Sequence, residues 1–192
     1  MRINTFKALV VKTRTIRRFY QTHQVKRTDL LELINLARLS ASGGNLQPLK
    51  FILSCDAKRN ARMFPCLAWA GYLKEWGGPV EGERPGAYIV ILGDTTIRRE
   101  FGCDHGIAAQ SIMLGATTKG LGGCIIGSIK RERLRDVLTI PNKYEILLVL
   151  ALGRPIENVI LETVQHGDIK YWRDANGRHH VPKRSLREIL LM

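Results

Sequence analysis

Arg14, Thr15 and Arg17 stand within four residues of one another in the stretch TRTIRRF, Thr13 to Phe19. A guanidinium is permanently charged and can hold a phosphate through two parallel hydrogen bonds, and a hydroxyl adds a third donor. Taken alone, a basic stretch of this kind is more often a solvated face. A second cluster lies in ASGGNLQPLKF, Ala41 to Phe51, where Ser42, Gly43, Gly44, Asn45, Gln47 and Pro48 crowd one short connection. One turn residue is enough to reverse a chain, so the surplus points to backbone brought close to a ligand. The Asn45 and Gln47 amides carry both donors and acceptors and can read a heterocycle edge that has both. An ordinary turn, with Asn45 left-handed and Pro48 opening an edge strand, fits the same residues.

The third cluster, GLGGCIIG from Gly120 to Gly127, resembles a phosphate loop but contains neither G-x-x-x-x-G-K-[ST] nor a G-x-G-x-x-G that opens a helix. It reads as a glycine helix cap followed by a strand, with main-chain N–H groups near Ile126 and Gly127 open to a ligand. Nucleophilic and metal chemistry have little to work with. His105, His166, His179 and His180 fall in no H-E-x-x-H, no serine sits in G-x-S-x-G, and the four cysteines form no C-x-x-C. No catalytic side chain and no metal ligand is therefore assigned. A chain with anion and heterocycle contacts but few acids or bases is one in which a nucleotide-like cofactor performs the reaction.

The elements that must position these clusters are legible from periodicity. TDLLELINLARLS is an amphipathic helix with Thr28 as its cap, and LKFILS, AYIVILG, CIIGSI and YEILLVLALG are strands. DHGIAAQSIMLGATTKG is a helix of small residues on every side, KRERLRDVL is a basic amphipathic helix, and SLREILLM starts a short one capped by Ser185. The alternation predicts an α/β sandwich with a mixed sheet. One domain over 1–192 is expected, with a lid-like excursion around 58–86 that carries Trp69, Tyr72 and Trp76, and a carboxy-terminal extension around 156–192.

Thirty basic residues against seventeen acidic ones give a charge of +13, which favours anionic ligands in general. The charges are scattered, so a nucleic-acid partner is not the expectation. Cys55, Cys66, Cys103 and Cys124 are expected as reduced core thiols. The longest apolar run, ILLVLAL, is far too short to span a bilayer, and the first twenty residues hold no continuous apolar core. A reducing cytoplasm and no membrane partner are the expectation.

In order and spacing, these motifs resemble the nitroreductase family of flavin mononucleotide (FMN) enzymes. TRTIRRF is similar to the family's amino-terminal phosphate and flavin segment, SASGGNLQPLKF to its Pro-Ser-x-x-Asn-x-Gln-Pro-Trp segment, and GLGGCIIG to the segment passing the flavin's central ring. ALGRP and VPKRSL match its strand end and basic carboxy-terminal segment. The resemblance implies an α+β fold, a mainly antiparallel sheet flanked by helices, and a homodimer with FMN at the interface.

It further implies that Arg14 and Thr15 hold the phosphate, joined by Lys183 or Arg184, and that Arg17 lies near the pyrimidine end. Ser42, Gly43, Asn45 and Gln47 would reach the cofactor of the opposite subunit, and backbone N–H near Ile126 or Gly127 would face the flavin N5. The implied activity is hydride transfer from NADH or NADPH through the flavin to an acceptor such as a nitroaromatic or quinone. Two alternatives stay open: the same fold running flavin fragmentation, dehalogenation or heterocycle oxidation, and a basic nucleic-acid-binding protein. Thr13, Leu49 and Ala41 depart from residues frequent in the family, and Ile126 from an acidic residue found in some members.

Overall fold

A computed structural model of the chain describes residues 2–191. Its central sheet has four strands, β1 (Leu49–Ser54), β2 (Ala87–Asp94), β3 (Gly122–Ile126) and β4 (Tyr144–Gly153), in the spatial order β1-β2-β4-β3. Every pairing in it is antiparallel. The parallel contact lies at the margin, where Thr15 bridges Gly123 and the Ile16 N–H donates to the Gly123 carbonyl at 2.7 Å. TRTIRRF is thereby laid as extended chain along the free edge of β3.

Both faces of the sheet are covered, which is why β2 reads as an unbroken apolar run. On one face Ala87, Ile89 and Ile91 join Leu150 and Leu152 beneath α2 (Arg27–Leu39) and α4 (Asp104–Thr118). On the other, Tyr88, Val90 and Leu92 join Val149 and Ala151 beneath α3 (Ala57–Met63) and α5 (Arg131–Leu138). A bulge that skips Leu147 lets Ile146 and Val149 share a face despite their odd spacing.

Leu30, Leu33 and Ala37 form the buried stripe of α2, and each fully buried leucine contributes about 1.5–3 kcal/mol. Leu31, Leu36 and Leu39 of the same helix stay exposed. Thr28 is not its cap. The helix begins at Arg27, two residues earlier than a Thr28 cap would place it, and its capping residue Lys26 makes no side-chain cap. Periodicity also gave no sign of α1 (Ile3–Lys12), because that helix buries no residue and so carries no core stripe. Two of the four cysteines depart from expectation: Cys66 and Cys124 are buried, but Cys55 and Cys103 are exposed.

The tail forms a separate three-stranded sheet in the order β5-β7-β6, from β5 (Val159–Thr163), β6 (Trp172–Arg173) and β7 (His179–Lys183). β5 runs parallel to β7 and β6 antiparallel to it. The short α6 (Leu186–Ile189) starts at Ser185 with a reciprocal capping box to Glu188, as its sequence predicts. Among the described residues no helix is long and apolar enough to cross a membrane.

The glycines of GLGGCIIG serve the fold. Gly120, at φ 71°, closes α4 in a Schellman arrangement, its N–H donating to Thr117 and that of Leu121 to Ala116. Gly123 is needed for space: a Cβ there would stand 2.5 Å from the Ala151 carbonyl oxygen and 2.7 Å from Leu152 Cδ2. Backbone cannot yield as a side-chain tip can. Gly123→Ala is therefore expected to cost about 1–3 kcal/mol, a fall in Tm of roughly 2–12 °C by thermal denaturation.

Candidate functional site

The extended segment, the α4 side of β3 and the tail enclose a cavity of about 280 Å³. Its wall includes Thr13, Arg14, Thr15 and Arg17 from the segment, Gln110 and Met113 from α4, and Ile125 from β3. Tyr171, His179, Val181 and Lys183 close it from the tail. Three of the residues marked out in TRTIRRF thus meet one of the two basic candidates near the carboxy terminus. Arg184 is elsewhere, exposed and 3.5 Å from Glu188 within α6. Strand alternation explains the difference between Ile125 and Ile126. Ile125 faces the cavity at 40% exposed, whereas the Ile126 side chain, 3% exposed, packs into the opposite face of the sheet. Gly127 follows β3 on the surface, outside the cavity wall.

Both arginines are held by their neighbours. Arg14 donates from Nε to the Thr13 carbonyl at 2.6 Å and from Nη2 to that of Val10 at 3.0 Å. Burial draws its pKa below the usual guanidinium value. Thr13 is itself buried, its hydroxyl 2.8 Å from the Leu9 carbonyl and 3.0 Å from the Thr117 hydroxyl, so it ties α1 to α4.

Arg17 is buried, with its guanidinium carbon 4.7 Å from the Tyr171 ring centroid and Nη1 3.2 Å from His179 Nε2. Its Nε has no partner. Burial pushes the His179 pKa down to about 4, and the nearby Arg17 and Arg173 charges push the same way against Glu157. No carboxylate lines the cavity among the described residues. Positive donors, the flat rings of Tyr171 and His179, and an apolar wall from Ile125 and Met113 make a site suited to a ring-bearing anion.

Two carboxylate systems hold the tail. Glu157, its side chain fully buried, accepts from the N–H groups of Arg17 (2.5 Å) and Arg18 (3.3 Å) and from Arg173 Nη2 (2.6 Å). On the outer face of β7, His180 sits between Glu162, at Nδ1, and Asp174, 3.3 Å from Nε2, and stacks on Trp172 at 4.1 Å. Both partners are acceptors, so both bonds exist only when the imidazole is protonated. The bond to Glu162, and then that to Asp174, hold the His180 pKa above its usual value.

The stability from this pairing is complete below the ordinary histidine pKa and fades as pH rises through the elevated one. Asp174 is pushed up by burial, but bonds from Arg178 and His180 outweigh that and bring it down to about 2, so its contribution is lost only in strong acid. Protonated imidazole quenches a stacked indole. Trp172 emission is therefore expected to rise in a titration above the ordinary histidine range, and His180→Gln should abolish that step. An unchanged step in the variant would assign it to another group.

The loop of Ser42, Gly43, Asn45 and Gln47 does not join this cavity. It borders a separate one of about 180 Å³, lined in part by Ser42, Gln47, Phe51 and Asp104. Ser42 Oγ donates to Asp104 Oδ2 at 2.6 Å, the Gly43 N–H to Oδ1 at 2.9 Å, and the Gln47 N–H to Ser42 Oγ at 3.0 Å. Burial raises the Asp104 pKa, but these donors and the Arg98 charge leave it below the carboxylate norm. Asn45 and Gln47 are left-handed, at φ 55° and 51°. Their backbone shape is set by the turn, and their side chains lie on the exposed face.

Sequence reasoning did not single out Gln110, Met113, Ile125, Tyr171 or Val181 as site residues. For Tyr171 and His179 no spacing rule applied, because they reach the cavity only through the fold of the tail sheet. Of the aromatics in the excursion, Trp69 is buried against Phe64, Trp76 lies beneath Arg173, and Tyr72 meets Tyr171 at 4.9 Å. Only Tyr72 approaches the cavity wall.

Comparison with known proteins agrees with the fold. The chain is 27% identical over 154 residues to a protein of Archaeoglobus fulgidus provisionally named NADH dehydrogenase/NAD(P)H nitroreductase, covering 76% of this chain and 83% of that one. Its fold is similar to a nitroreductase family protein of Clostridium novyi NT, with a TM-score of 0.66, 24% identity, and coverage of 78% and 84%. It is also similar to an FMN-dependent nitroreductase of Clostridium difficile R20291, with a TM-score of 0.65, 24% identity, and coverage of 83% and 91%. The profile described as Nitroreductase family matches residues 10–76 and 82–154, and the chain belongs to that family.

Proposed function

We propose that this protein is a homodimeric FMN-dependent oxidoreductase that takes hydride from NADH or NADPH and delivers reducing equivalents to an acceptor such as a nitroaromatic or quinone. The observation that carries the reading is the cavity in which Arg14, Thr15, Arg17 and Lys183 converge without a carboxylate. The donor set fits the cofactor: three permanent or near-permanent cations suit a phosphate and an electron-rich ring, and the orphaned Arg17 Nε awaits an acceptor. The FMN-dependent character of the Clostridium difficile relative supports the same reading.

Bound FMN would supply hydride acceptance and return at its N5. This chain's residues bind and orient: Arg14, Thr15 and Lys183 hold the phosphate, and Arg17 sets positive charge near the pyrimidine end. Main-chain N–H at Ile126 or Gly127 would face N5, beside the apolar wall made by Ile125. Ser42, Gly43, Asn45 and Gln47, remote from their own subunit's cavity, would serve the partner's. Exposed Leu31, Leu36 and Leu39 on α2 and Ile107 on α4 support an apolar surface for that partner.

Purified protein is expected to stay yellow through gel filtration after incubation with FMN, to bleach anaerobically with a reduced nicotinamide, and to elute as a dimer. Colourless protein would remove the proposal. Asn45→Gly, which keeps the left-handed backbone while removing the amide, should weaken flavin retention while thermal stability changes little. Unchanged retention would reduce the loop to a turn.

A further inference from the structure

His179 lies in the tail, beyond the residues that the family profile matches. Its place is fixed by two independent restraints. β7 is pinned between β5 and β6, with His179 opposite Val159 on one side and Arg173 on the other. The next residue, His180, points to the other face and is clamped there by Glu162 and Asp174. Strand alternation then leaves His179 one direction, inward, where it is 1% exposed.

Inward lies Arg17. An arginine N–H can only donate, so the 3.2 Å contact from Nη1 requires a lone pair on His179 Nε2. A ring that accepts there is uncharged and carries its proton on Nδ1, a buried atom with no partner. The imidazole and the Tyr171 ring, 5.2 Å apart, together fix the plane of the guanidinium. The obvious counterion is diverted: Glu157 is occupied by the Arg17 and Arg18 main chain and by Arg173. Among the described residues Arg17 has no carboxylate within ion-pair distance.

We infer that His179 is the positioning residue of Arg17, a neutral acceptor that orients the guanidinium while leaving its whole charge directed at the cavity. A carboxylate in its place would hold Arg17 as firmly but cancel the charge that an anionic ligand needs. A residue with no acceptor would leave the charge but free the side chain to turn. The low pKa of His179 agrees with a ring that stays neutral across the working range. Where the anion is taken to be FMN, the inference rests on the function proposed above.

The test has two readouts. In nitrogen-15 spectra of the wild-type protein, His179 should appear as the neutral Nδ1–H tautomer from pH 5 to 8. A cationic His179 at pH 6, or the Nε2–H tautomer, overturns the inference whether or not flavin binds. The second readout compares His179→Gln with His179→Glu, using inorganic pyrophosphate and FMN as separate probes. Glutamine keeps a neutral acceptor, and its dissociation constants should stay within about threefold of wild type. Glutamate should weaken both probes by roughly tenfold or more, the equivalent of about 1.4 kcal/mol, at unchanged Tm.

Equal binding by the glutamate variant overturns the inference. Failure of wild-type protein to bind FMN, with the pyrophosphate ranking intact, overturns the flavin reading alone.

Discussion

Glu157→Ala should lower the Tm by roughly 6–20 °C in a thermal denaturation scan. The carboxylate is fully buried and joins three donors from two segments 140 and 16 residues away in sequence. Its removal leaves the Arg17 and Arg18 N–H groups without this acceptor and the Arg173 guanidinium, 17% exposed, without its counterion. Breaking one side of a buried pair costs about 3–5 kcal/mol, because the surviving charge stays desolvated. At this chain length each kcal/mol corresponds to about 2–4 °C. Glu157→Gln keeps an acceptor for the main chain but not the charge for Arg173, so it should fall between. A change below 2 °C for the alanine variant would mean that the tail is not held through this carboxylate.

Arg17→Ala should raise the FMN dissociation constant roughly tenfold to a hundredfold, measured by quenching of flavin fluorescence on titration. A hydrogen bond to a charged group contributes about 1.5–3 kcal/mol, which converts to that range. Arg17→Lys should recover only part of it. An ammonium cannot lie flat on Tyr171 and donate to His179 in the same plane. The loss should shrink at high salt as screening weakens the wild-type advantage. An unchanged dissociation constant would place the cofactor elsewhere. The two predictions are separable, since Glu157 acts on the tail's attachment and Arg17 on the ligand.

Much of the central layer could be read without a structure. β1, β2 and β4 fall on the segments that their apolar runs indicated, because burial on both faces leaves a dense apolar signature, whereas β3 starts two glycines before the run CIIGSI and ends at Ile126. α4 follows from its dense run of small apolar residues and α5 from its amphipathic pattern around the buried Leu134, and Gly120 acts as the helix cap that its position suggested. α1 escaped notice because nothing in it is buried. The tail strands escaped because they pair with each other in a small, half-exposed sheet, where alternation is weak and partners lie up to twenty residues apart.

The site divides in the same way. Arg14, Thr15, Arg17 and Lys183 were identifiable by type, since phosphate chemistry demands such donors and their motifs follow a family order. That Lys183 and not Arg184 reaches the cavity is a matter of strand register, and that Ile125 and not Ile126 lines it is a matter of strand parity. The turn in ASGGNLQPLKF was as readable as its left-handed Asn45, but its tie to Asp104 joins residues about sixty apart.

The sequence by itself determined most of the central elements and the basic donors, because those rest on local periodicity and residue chemistry, and its motif order carried the resemblance to the family. The tertiary structure alone decided that Glu157, Tyr171 and His179 support Arg17. Their roles arise only when the tail folds back on the amino-terminal segment, and no short-range pattern records a contact made across 140 residues or more.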